Sequence, residues 1–219
     1  MINIQINERL KELCPQLKLG CIEANVKVED SCISLLNEID CYCKTIINEI
    51  KLEDLPSVIQ IKYGRELYKA LGKAPSKYRT SSEALLRRVL QGKGLYKINN
   101  IVEINNLISI KSKLPVGSYN IENLKEPITL TIGKENEKYK GIGKELINIE
   151  NLPVLIDALG PFGSPTSDSE RAMITKNAKH IAIIIFSFDS SEIDEYLNLG
   201  TNLLKDYAHC SSIETQIII

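Results

Sequence analysis

Neighbouring asparagines in the segment 97–120 are the first residues whose type and spacing suggest chemistry. Asn105 and Asn106 fall in the middle of a stretch with helical apolar spacing, where asparagine has a low intrinsic propensity. A side-chain amide offers donors and an acceptor at fixed geometry, which suits a ribose hydroxyl, an amino group or a bound water. Asn99 stands where the same helix should begin, which suits a capping role, and it is also a candidate ligand contact.

A second candidate segment, ALGPFGSPTSDSERAMIT at 158–175, concentrates turn-forming and polar residues. Its glycines and prolines allow close approach of the backbone to a ligand, and a carboxylate, Asp168, lies among hydroxyl groups. A plain surface loop is the alternative, but the pattern favours a ligand-lining loop. The predicted substrate contacts here are Gly160, Phe162, Gly163, Ser164, Thr166, Ser167, Ser169 and Arg171.

Several common kinds of site have little support in the sequence. There is no GxSxG serine, no P-loop, and neither histidine belongs to a catalytic motif. The six cysteines form no CxxC pair, so we predict no metal site and no cofactor. Cys32 and Cys43 fall on an apolar helical stripe and are predicted to be small buried thiols.

The charge is distributed unevenly along the chain. Residues 62–97 contain ten basic and two acidic residues, a net charge of +8, within a chain whose overall net charge is −1. Tyrosines are interleaved with the cations, as in surfaces that meet phosphates and stack on unpaired bases. A solvated helical face is the alternative interpretation. The candidate nucleic-acid contacts are Lys73, Lys77, Arg79, Arg87 and Arg88.

Composition places the chain among ordinary globular proteins. With 219 residues, 43% hydrophobic and 25% charged, it is neither a disordered chain, a collagen-like chain nor a disulfide-rich toxin. The longest apolar run, Ile181 to Phe186, is far shorter than the ~20 residues of a membrane helix. The first residues lack the basic and apolar regions of a signal peptide, so we expect a cytoplasmic protein with free thiols.

Periodicity predicts helices mainly in the first half and strands mainly in the second. A change of alternation near Cys21 and Ile22 predicts a bulge in the extended stretch 17–28. Asp30 or Ser31 should cap the helix that follows it. This order favours an α+β fold over regular α/β alternation. The predicted helices are 7–14, 32–50, 56–71, 81–90, 98–111 and 190–206, and the strands are 2–6, 127–133, 152–160, 179–188 and 213–219.

Three stretches together resemble a known family. They are SSEALLRRVLQGKGLYKINNIVEINNLISI, KLPVGSYNIENL and DALGPFGSPTSDSERAMIT. Their order and spacing are similar to those of the B3/B4 domain of the phenylalanyl-tRNA synthetase β subunit, and more closely to free-standing proteins built from that domain alone. The resemblance covers roughly residues 60–190.

The resemblance implies an α+β domain with a mixed or antiparallel sheet core and packed helices. It implies one domain over 1–219, with an N-terminal elaboration at 1–55, the core at 60–190, and a C-terminal helix and strand at 190–219. A pocket is expected between the asparagine-bearing helix and the glycine-rich loop. The segment LPVGSY adds Pro115, Gly117, Ser118 and Tyr119 as candidate substrate contacts.

In the synthetase, this domain hydrolyses the ester of tRNA mischarged with tyrosine. The resemblance therefore implies editing in trans of aminoacylated tRNA, with Asn105, Asn106 and Asp168 as catalytic residues. Asn105 stands where the family more often has threonine, and Asp168 lies near the carboxylate that reads the substrate side chain. Gly117 replaces a histidine of the synthetase pattern, so tyrosine specificity is not expected here.

Two alternatives remain open at this point. One is a non-catalytic module that binds tRNA or another RNA, and the other is a small-molecule protein that kept the pocket and lost the RNA. We expect no ligase activity, no DNA binding and no membrane association. The sequence does not specify the edited amino acid, the tRNA or the oligomeric state.

Overall fold

The computed structural model describes residues 1–189 and 192–219, and within them the chain forms ten strands and six α-helices. The strands are β1 (Ile4–Ile6), β2 (Lys18–Asn25), β3 (Val116–Asn120), β4 (Ile128–Ile132), β5 (Lys138–Lys140), β6 (Leu146–Asn148), β7 (Pro153–Asp157), β8 (Gly160–Gly163), β9 (His180–Ser187) and β10 (Ser212–Ile218). The helices are α1 (Glu8–Leu13), α2 (Ile33–Glu49), α3 (Ile59–Ala70), α4 (Ser81–Leu90), α5 (Asn100–Ser112) and α6 (Ile193–Tyr207).

Two four-stranded sheets and one hairpin account for the strands. The first sheet has the order β1-β4-β7-β8 and is mixed, because β1 and β4 are parallel and its other pairs are antiparallel. The second has the order β10-β2-β9-β3 and is antiparallel throughout. Strands β5 and β6 form a separate hairpin. The predicted α+β class with a mixed or antiparallel core is confirmed.

The antiparallel sheet separates two hydrophobic cores. On one face, Ile183 and Ile185 of β9 pack with residues of α2, α4, α5 and α6. On the other face, Ile184 and Phe186 pack with residues of β1, β4 and β7 from the mixed sheet. The layers are therefore helices, antiparallel sheet and mixed sheet. As its continuous apolar sequence predicts, β9 is an inner strand: it pairs with β2 on one side and β3 on the other, and both of its faces are covered.

The bulge predicted near Cys21 and Ile22 is absent. Strand β2 pairs with β9 without interruption, from Lys18 opposite Ser187 to Asn25 opposite His180. Its alternation changes because the strand is buried on both faces: Cys21 contributes to the core between the sheets, and Ile22 to the core under the helices. A strand that is buried on both faces can carry apolar residues at odd and even positions alike.

Helix α2 begins slightly later than predicted, and one of its cysteines lies elsewhere than expected. Cys32 occupies the N-cap position, where Asp30 or Ser31 was expected. Its side chain is exposed, so the prediction of a buried thiol is wrong for Cys32 and correct for Cys43, which is buried. The apolar stripe predicted for this helix includes Cys32. That residue is the N-cap, where the backbone is still extended, so its side chain does not lie on the buried face of the helix.

The first 55 residues supply one strand to each large sheet: β1 at an edge of the mixed sheet, and β2 inside the antiparallel sheet. At the other end of the chain, α6 begins at Ile193, and the first two residues of the predicted helix 190–206 lie outside the described residues. None of the described helices combines the length and apolar character that crossing a membrane requires.

Candidate functional site around Asp168 and the edge strand

The Ser164 side chain organises the loop that follows β8. Its hydroxyl accepts hydrogen bonds from the backbone N–H groups of Thr166, at 3.3 Å, and Ser167, at 3.1 Å. It also donates to the Ser167 carbonyl oxygen at 2.7 Å. A serine hydroxyl that bonds to the backbone two and three residues further on fixes a tight turn. Ser164, which the sequence predicted to bind ligand, thus stabilises the conformation of the loop. Asp168 lies directly after this turn.

Asp168 is joined to β3 through Tyr119. The Tyr119 hydroxyl donates to Asp168 Oδ1 at 2.7 Å, and the Tyr119 ring meets Phe162 edge-on, with 5.1 Å between the ring centroids. Burial raises the pKa of Asp168 to about 7, although the Tyr119 hydrogen bond acts in the opposite direction. Burial also raises the pKa of Tyr119 well above its ordinary value. A carboxyl with a pKa near neutrality is suited to proton transfer.

Two glycines make room for the Tyr119 hydroxyl. A methyl group added to Gly117 or to Gly163 would overlap the Tyr119 hydroxyl oxygen. Gly117 and Tyr119 share a face of β3 because they are two residues apart. Glycine at position 117 therefore has a local reason: any larger side chain there would displace the buried tyrosine from Asp168.

Two further tyrosines, which the sequence did not single out as site residues, complete this cluster. The Tyr68 hydroxyl of α3 lies 2.7 Å from Thr166 Oγ1. The Tyr139 hydroxyl of β5 hydrogen-bonds to the Ser167 carbonyl oxygen and lies 3.2 Å from Ser164 Oγ. Because Tyr68 is fully buried, it cannot stack on a base as the charge pattern suggested. The sequence signal for the burial of Tyr68 is its position on the apolar stripe of α3.

An open cleft of about 490 Å³ lies beside this loop, between the β5–β6 hairpin and the turn at 170–172. The hairpin reaches the loop through Ile142, whose N–H donates to the Asp168 carbonyl oxygen at 3.2 Å. Lys144 lies 3.5 Å from the Ser167 hydroxyl. Asp168 does not itself line this cleft, which borders the loop on the side of the hairpin. The residues that line the cleft are Lys140, Gly143, Lys144, Glu145, Glu170 and Met173.

The predicted amide pair lies inside α5. Asn105 and Asn106 are each 8% exposed, and Asn105 Nδ2 lies 3.4 Å from Asn106 Oδ1. Asn105 Oδ1 is buried without a hydrogen-bond partner. Since a buried acceptor without a donor is costly, this oxygen is suited to receive a hydrogen bond from a ligand or a water. Neither side chain caps a helix, because both residues lie in the middle of α5.

Strand β3 contacts both the helix that carries the amide pair and, through Tyr119, the Asp168 carboxyl. It is an edge strand that packs against α5 and carries Tyr119, which reaches Asp168. No hydrogen bond within residues 1–189 and 192–219 links Asn105 or Asn106 directly to Asp168. The three predicted catalytic residues therefore form two separate clusters: the amide pair on α5 in the helix layer, and Asp168 with Tyr119 on the opposite face of the antiparallel sheet.

Other predicted contacts have structural partners. The Arg171 guanidinium makes two 2.9 Å hydrogen bonds to the Asp157 carboxylate and one of 3.0 Å to the Gly160 carbonyl oxygen. Burial raises the pKa of Asp157, but the Arg171 hydrogen bonds and charge, together with the backbone N–H groups of Lys125 and Leu159, outweigh it, so the pKa of Asp157 lies below its ordinary value. These contacts fix the β7–β8 turn, where Gly160 has a φ of +114°. Arg171 therefore braces the loop from outside.

The remaining predicted substrate contacts are mostly backbone or cap positions. The Asn99 side chain accepts from the Val102 N–H at 2.9 Å and caps α5. The Pro115 carbonyl oxygen accepts from the Phe186 N–H at 2.9 Å, and Ser118 pairs with Ile183. Ser169 Oγ is buried without a partner, which makes it a further candidate for a ligand or water contact.

The predicted nucleic-acid contacts lie on and before α4. Lys73 lies 4.8 Å from the centre of the Tyr78 ring, and the Arg88 guanidinium 4.0 Å from the centre of the Tyr96 ring. Arg79 and Arg87 face the buried carboxylate of Glu83. Lys77 is exposed. Cations over aromatic rings are held in place while their outer faces remain available.

Within the described residues, no three side chains of His, Cys, Asp or Glu converge as metal ligands. The two unpartnered polar atoms of the site, Asn105 Oδ1 and Ser169 Oγ, belong to an amide and a hydroxyl. These groups suit hydrogen-bonding ligands, and the donor set gives no reason to assign a cofactor.

Comparisons with known proteins agree with this architecture. No curated protein matches the chain. Among solved structures, the chain is similar to an N-terminal fragment of the phenylalanyl-tRNA synthetase beta-subunit from Pyrococcus horikoshii, with a TM-score of 0.51 and 14% sequence identity. The similarity covers 99% of this chain and 50% of that one, so this chain spans about half the length of its structural relative. At this identity the likeness shows the fold alone.

The sequence comparison is more specific. Residues 64–209 match the B3/4 domain, which is more than half of the chain. The matched range contains the second half of α3, all of α4 to α6, both clusters of predicted catalytic residues and the basic residues of α4. The resemblance expected from the sequence motifs is thereby confirmed, and the chain belongs to the B3/4 domain family.

Proposed function

We propose that the chain removes the amino acid from misacylated tRNA in trans, by hydrolysing the aminoacyl ester. The observation that carries the proposal is the Asp168 carboxyl, which has a pKa of about 7 and is held by the Tyr119 hydroxyl, in a loop that an open cleft borders. A group with that pKa can accept a proton and return it at neutral pH. The structural relative is part of a phenylalanyl-tRNA synthetase, which supports a tRNA-related substrate, and the proposal places the protein in the cytoplasm.

The proposed reaction needs one proton acceptor and good positioning. Ionised Asp168 accepts a proton from water while the water oxygen attacks the ester carbonyl carbon. The bond between that carbon and the ribose oxygen then breaks, and the proton passes to the ribose oxygen. The products are the free amino acid and tRNA with a free terminal hydroxyl. An aminoacyl ester is already activated, so orientation of the reactants supplies much of the acceleration.

The amide pair and the loop have distinct proposed roles. Asn105 Oδ1, which has no partner in the described chain, accepts a hydrogen bond from the ribose or the α-ammonium group. The Asn106 amide and the backbone N–H groups of 160–164, apart from Pro161, which has none, stabilise the negative charge that develops on the carbonyl oxygen. Tyr119 holds Asp168 through its 2.7 Å hydrogen bond and does not itself contact substrate in this proposal.

The direct test is ester loss from a panel of labelled aminoacyl-tRNAs, correctly and wrongly charged, at moderate salt. Selective hydrolysis of one mischarged species is expected. Asn106→Ala should slow deacylation by about 100-fold, in the range found for loss of one oxyanion donor, with nearly unchanged tRNA affinity. Equal losses of rate and affinity would instead assign Asn106 a structural role.

The pH dependence of the rate gives a second prediction. Because Asp168 must be ionised to accept the proton, background-corrected kcat/KM should rise with pH up to about 7 and then level off. In Asp168→Asn the rate should fall and this rise should disappear. A profile that keeps its inflection in the variant would show that another group is the base.

A non-catalytic RNA-binding module is the second candidate. The observation that favours it is the net charge of +8 over residues 62–97, which does not depend on Asp168. This candidate predicts salt-dependent tRNA binding with no ester loss above background. If neither binding nor hydrolysis occurs, a small-molecule ligand for the cleft becomes the next hypothesis to test.

A further inference from the structure

Three arginines converge on one buried carboxylate at the start of α4. Glu83 is 0% exposed. Arg65 of α3 donates to both of its oxygens, from Nε at 2.9 Å and from Nη2 at 2.7 Å. Arg87 Nε donates to Oε1 at 2.9 Å, and Arg79 Nε lies 3.6 Å from the same oxygen. Burial raises the pKa of Glu83, but the arginines more than compensate and leave it below its ordinary value.

This cluster has more positive charge than one carboxylate neutralises. Three guanidinium groups and one carboxylate leave a net charge of +2, concentrated around one oxygen atom. Each of the three arginines turns its Nε towards Glu83. Within residues 1–189 and 192–219, the Nη atoms of Arg79 and Arg87 have no hydrogen-bond partner, and these side chains are 41% and 25% exposed. Guanidinium groups held in this way present unused donors to the outside.

The cluster lies next to the loop of the candidate site. The Ser81 N–H, at the first residue of α4, donates to the Pro165 carbonyl oxygen at 2.7 Å. Arg79 is two residues before this contact, and Asp168 is three residues after it. The Thr80 hydroxyl accepts from the Glu83 N–H and caps α4, so the carboxylate and the arginine donors start from a fixed backbone.

We propose that Arg65, Arg79 and Arg87 form a binding site for a phosphate ester group, held in shape by Glu83. Arginine is the side chain best suited to phosphate, because its planar donors match two phosphate oxygens at once. A backbone phosphodiester, which carries one negative charge, would offset half of the surplus charge of the cluster. Resting on the proposed function, the inference assigns this site to a phosphate of the tRNA, held while the acylated end enters the neighbouring cleft.

Glu83 acts as a positioning residue in this site. It contacts no ligand, and its carboxylate directs three guanidinium groups that would otherwise repel one another. The affinity of Glu83→Gln for RNA distinguishes a positioning role of Glu83 from a simple effect of its negative charge. The variant is one unit more positive, so charge alone predicts tighter RNA binding, whereas loss of positioning predicts weaker binding.

The test uses the full chain and unacylated tRNA, so binding is measured without any hydrolysis. Arg79→Gln and Arg87→Gln are each expected to weaken binding by about tenfold, as for loss of a charged hydrogen bond. The slope of log affinity against log salt should become shallower by about 0.7–0.9 for each lost phosphate contact. Lys205→Gln, which removes an exposed charge on α6, is the matched control and should stay within about twofold of wild type.

Each outcome decides the proposal. Unchanged affinity and slope in both arginine variants would overturn it and leave the cluster as a link between α3 and α4. If tRNA does not bind, but pyrophosphate raises the Tm of the wild type and not of Arg79→Gln, the phosphate site stands and its assignment to tRNA is overturned. Tighter binding by folded Glu83→Gln would overturn the positioning role. If that variant does not fold, the arginine variants still decide the site.

Discussion

Tyr119→Ala is expected to lower the free energy of unfolding by about 3–5 kcal/mol, the range for removing a large buried aromatic side chain. Tyr119 is fully buried, packs edge-on against Phe162 and holds Asp168. Neighbouring groups cannot easily fill the space, because the backbone of Gly117 and Gly163 borders it on both sides. The variant should therefore contain a cavity of the shape of a phenol, with the Asp168 carboxyl at its polar end.

A small phenol should refill that cavity. We expect 4-methylphenol to raise the Tm of Tyr119→Ala more than toluene does, because only the phenol can restore the hydrogen bond to Asp168. Phe186→Ala is the matched control: Phe186 is fully buried in the same core and is a hydrocarbon, so its cavity should not favour the phenol. Equal Tm shifts with both compounds in Tyr119→Ala would show that the hydrogen bond to Asp168 does not survive in the cavity.

Asp168→Asn is expected to become more stable relative to the wild type as the pH rises. Burial raises the pKa of folded Asp168 to about 7, whereas an unfolded aspartate titrates near 3.9. The stability that protonated Asp168 contributes is therefore fully present below pH 4 and is lost as the pH rises to 7. Between pH 4.5 and 8 the wild type should lose about 3 kcal/mol relative to the variant.

Urea unfolding of both proteins at several pH values measures this difference. Comparison with the asparagine variant cancels the titration of all other groups, provided that the pKa values of those groups are the same in both proteins. A difference in stability that stays constant from pH 4.5 to 8 would show that Asp168 titrates normally in the folded state. The proposed proton acceptor would then have no special pKa, and the base in the deacylation mechanism would have to be another group.

Local patterns in the sequence were sufficient for most of the fold. The start of α4 follows from Thr80 as a hydroxyl cap, and the inner position of β9 follows from its continuous apolar residues. Both features depend on interactions between residues close together in the sequence. The bulge predicted near Cys21 is absent for a long-range reason: the alternation of apolar residues cannot show that a second sheet covers the other face of the strand.

For the candidate site, the sequence specified the segments but not the contacts. Asn105 and Asn106 stood out as polar residues in mid-helix, and Asp168 as a carboxylate in a glycine-rich loop. The sequence could not show that Arg171 braces Asp157, because the two residues are 14 positions apart with a strand between them. Glu83 likewise follows Thr80 by three residues, a spacing typical of a capping box, whereas its carboxylate binds arginines of two helices.

The sequence by itself determined the α+β class, most element positions, the family resemblance and the concentration of positive charge in residues 62–97. These properties are set by periodicity, capping and composition, which act over short distances along the chain. Only the tertiary structure decided that Tyr119 fills the space between Gly117 and Gly163, that Asp168 has a pKa of about 7, and that three arginines share Glu83. Burial and charge pairing depend on which distant segments pack together, and no local pattern specifies this.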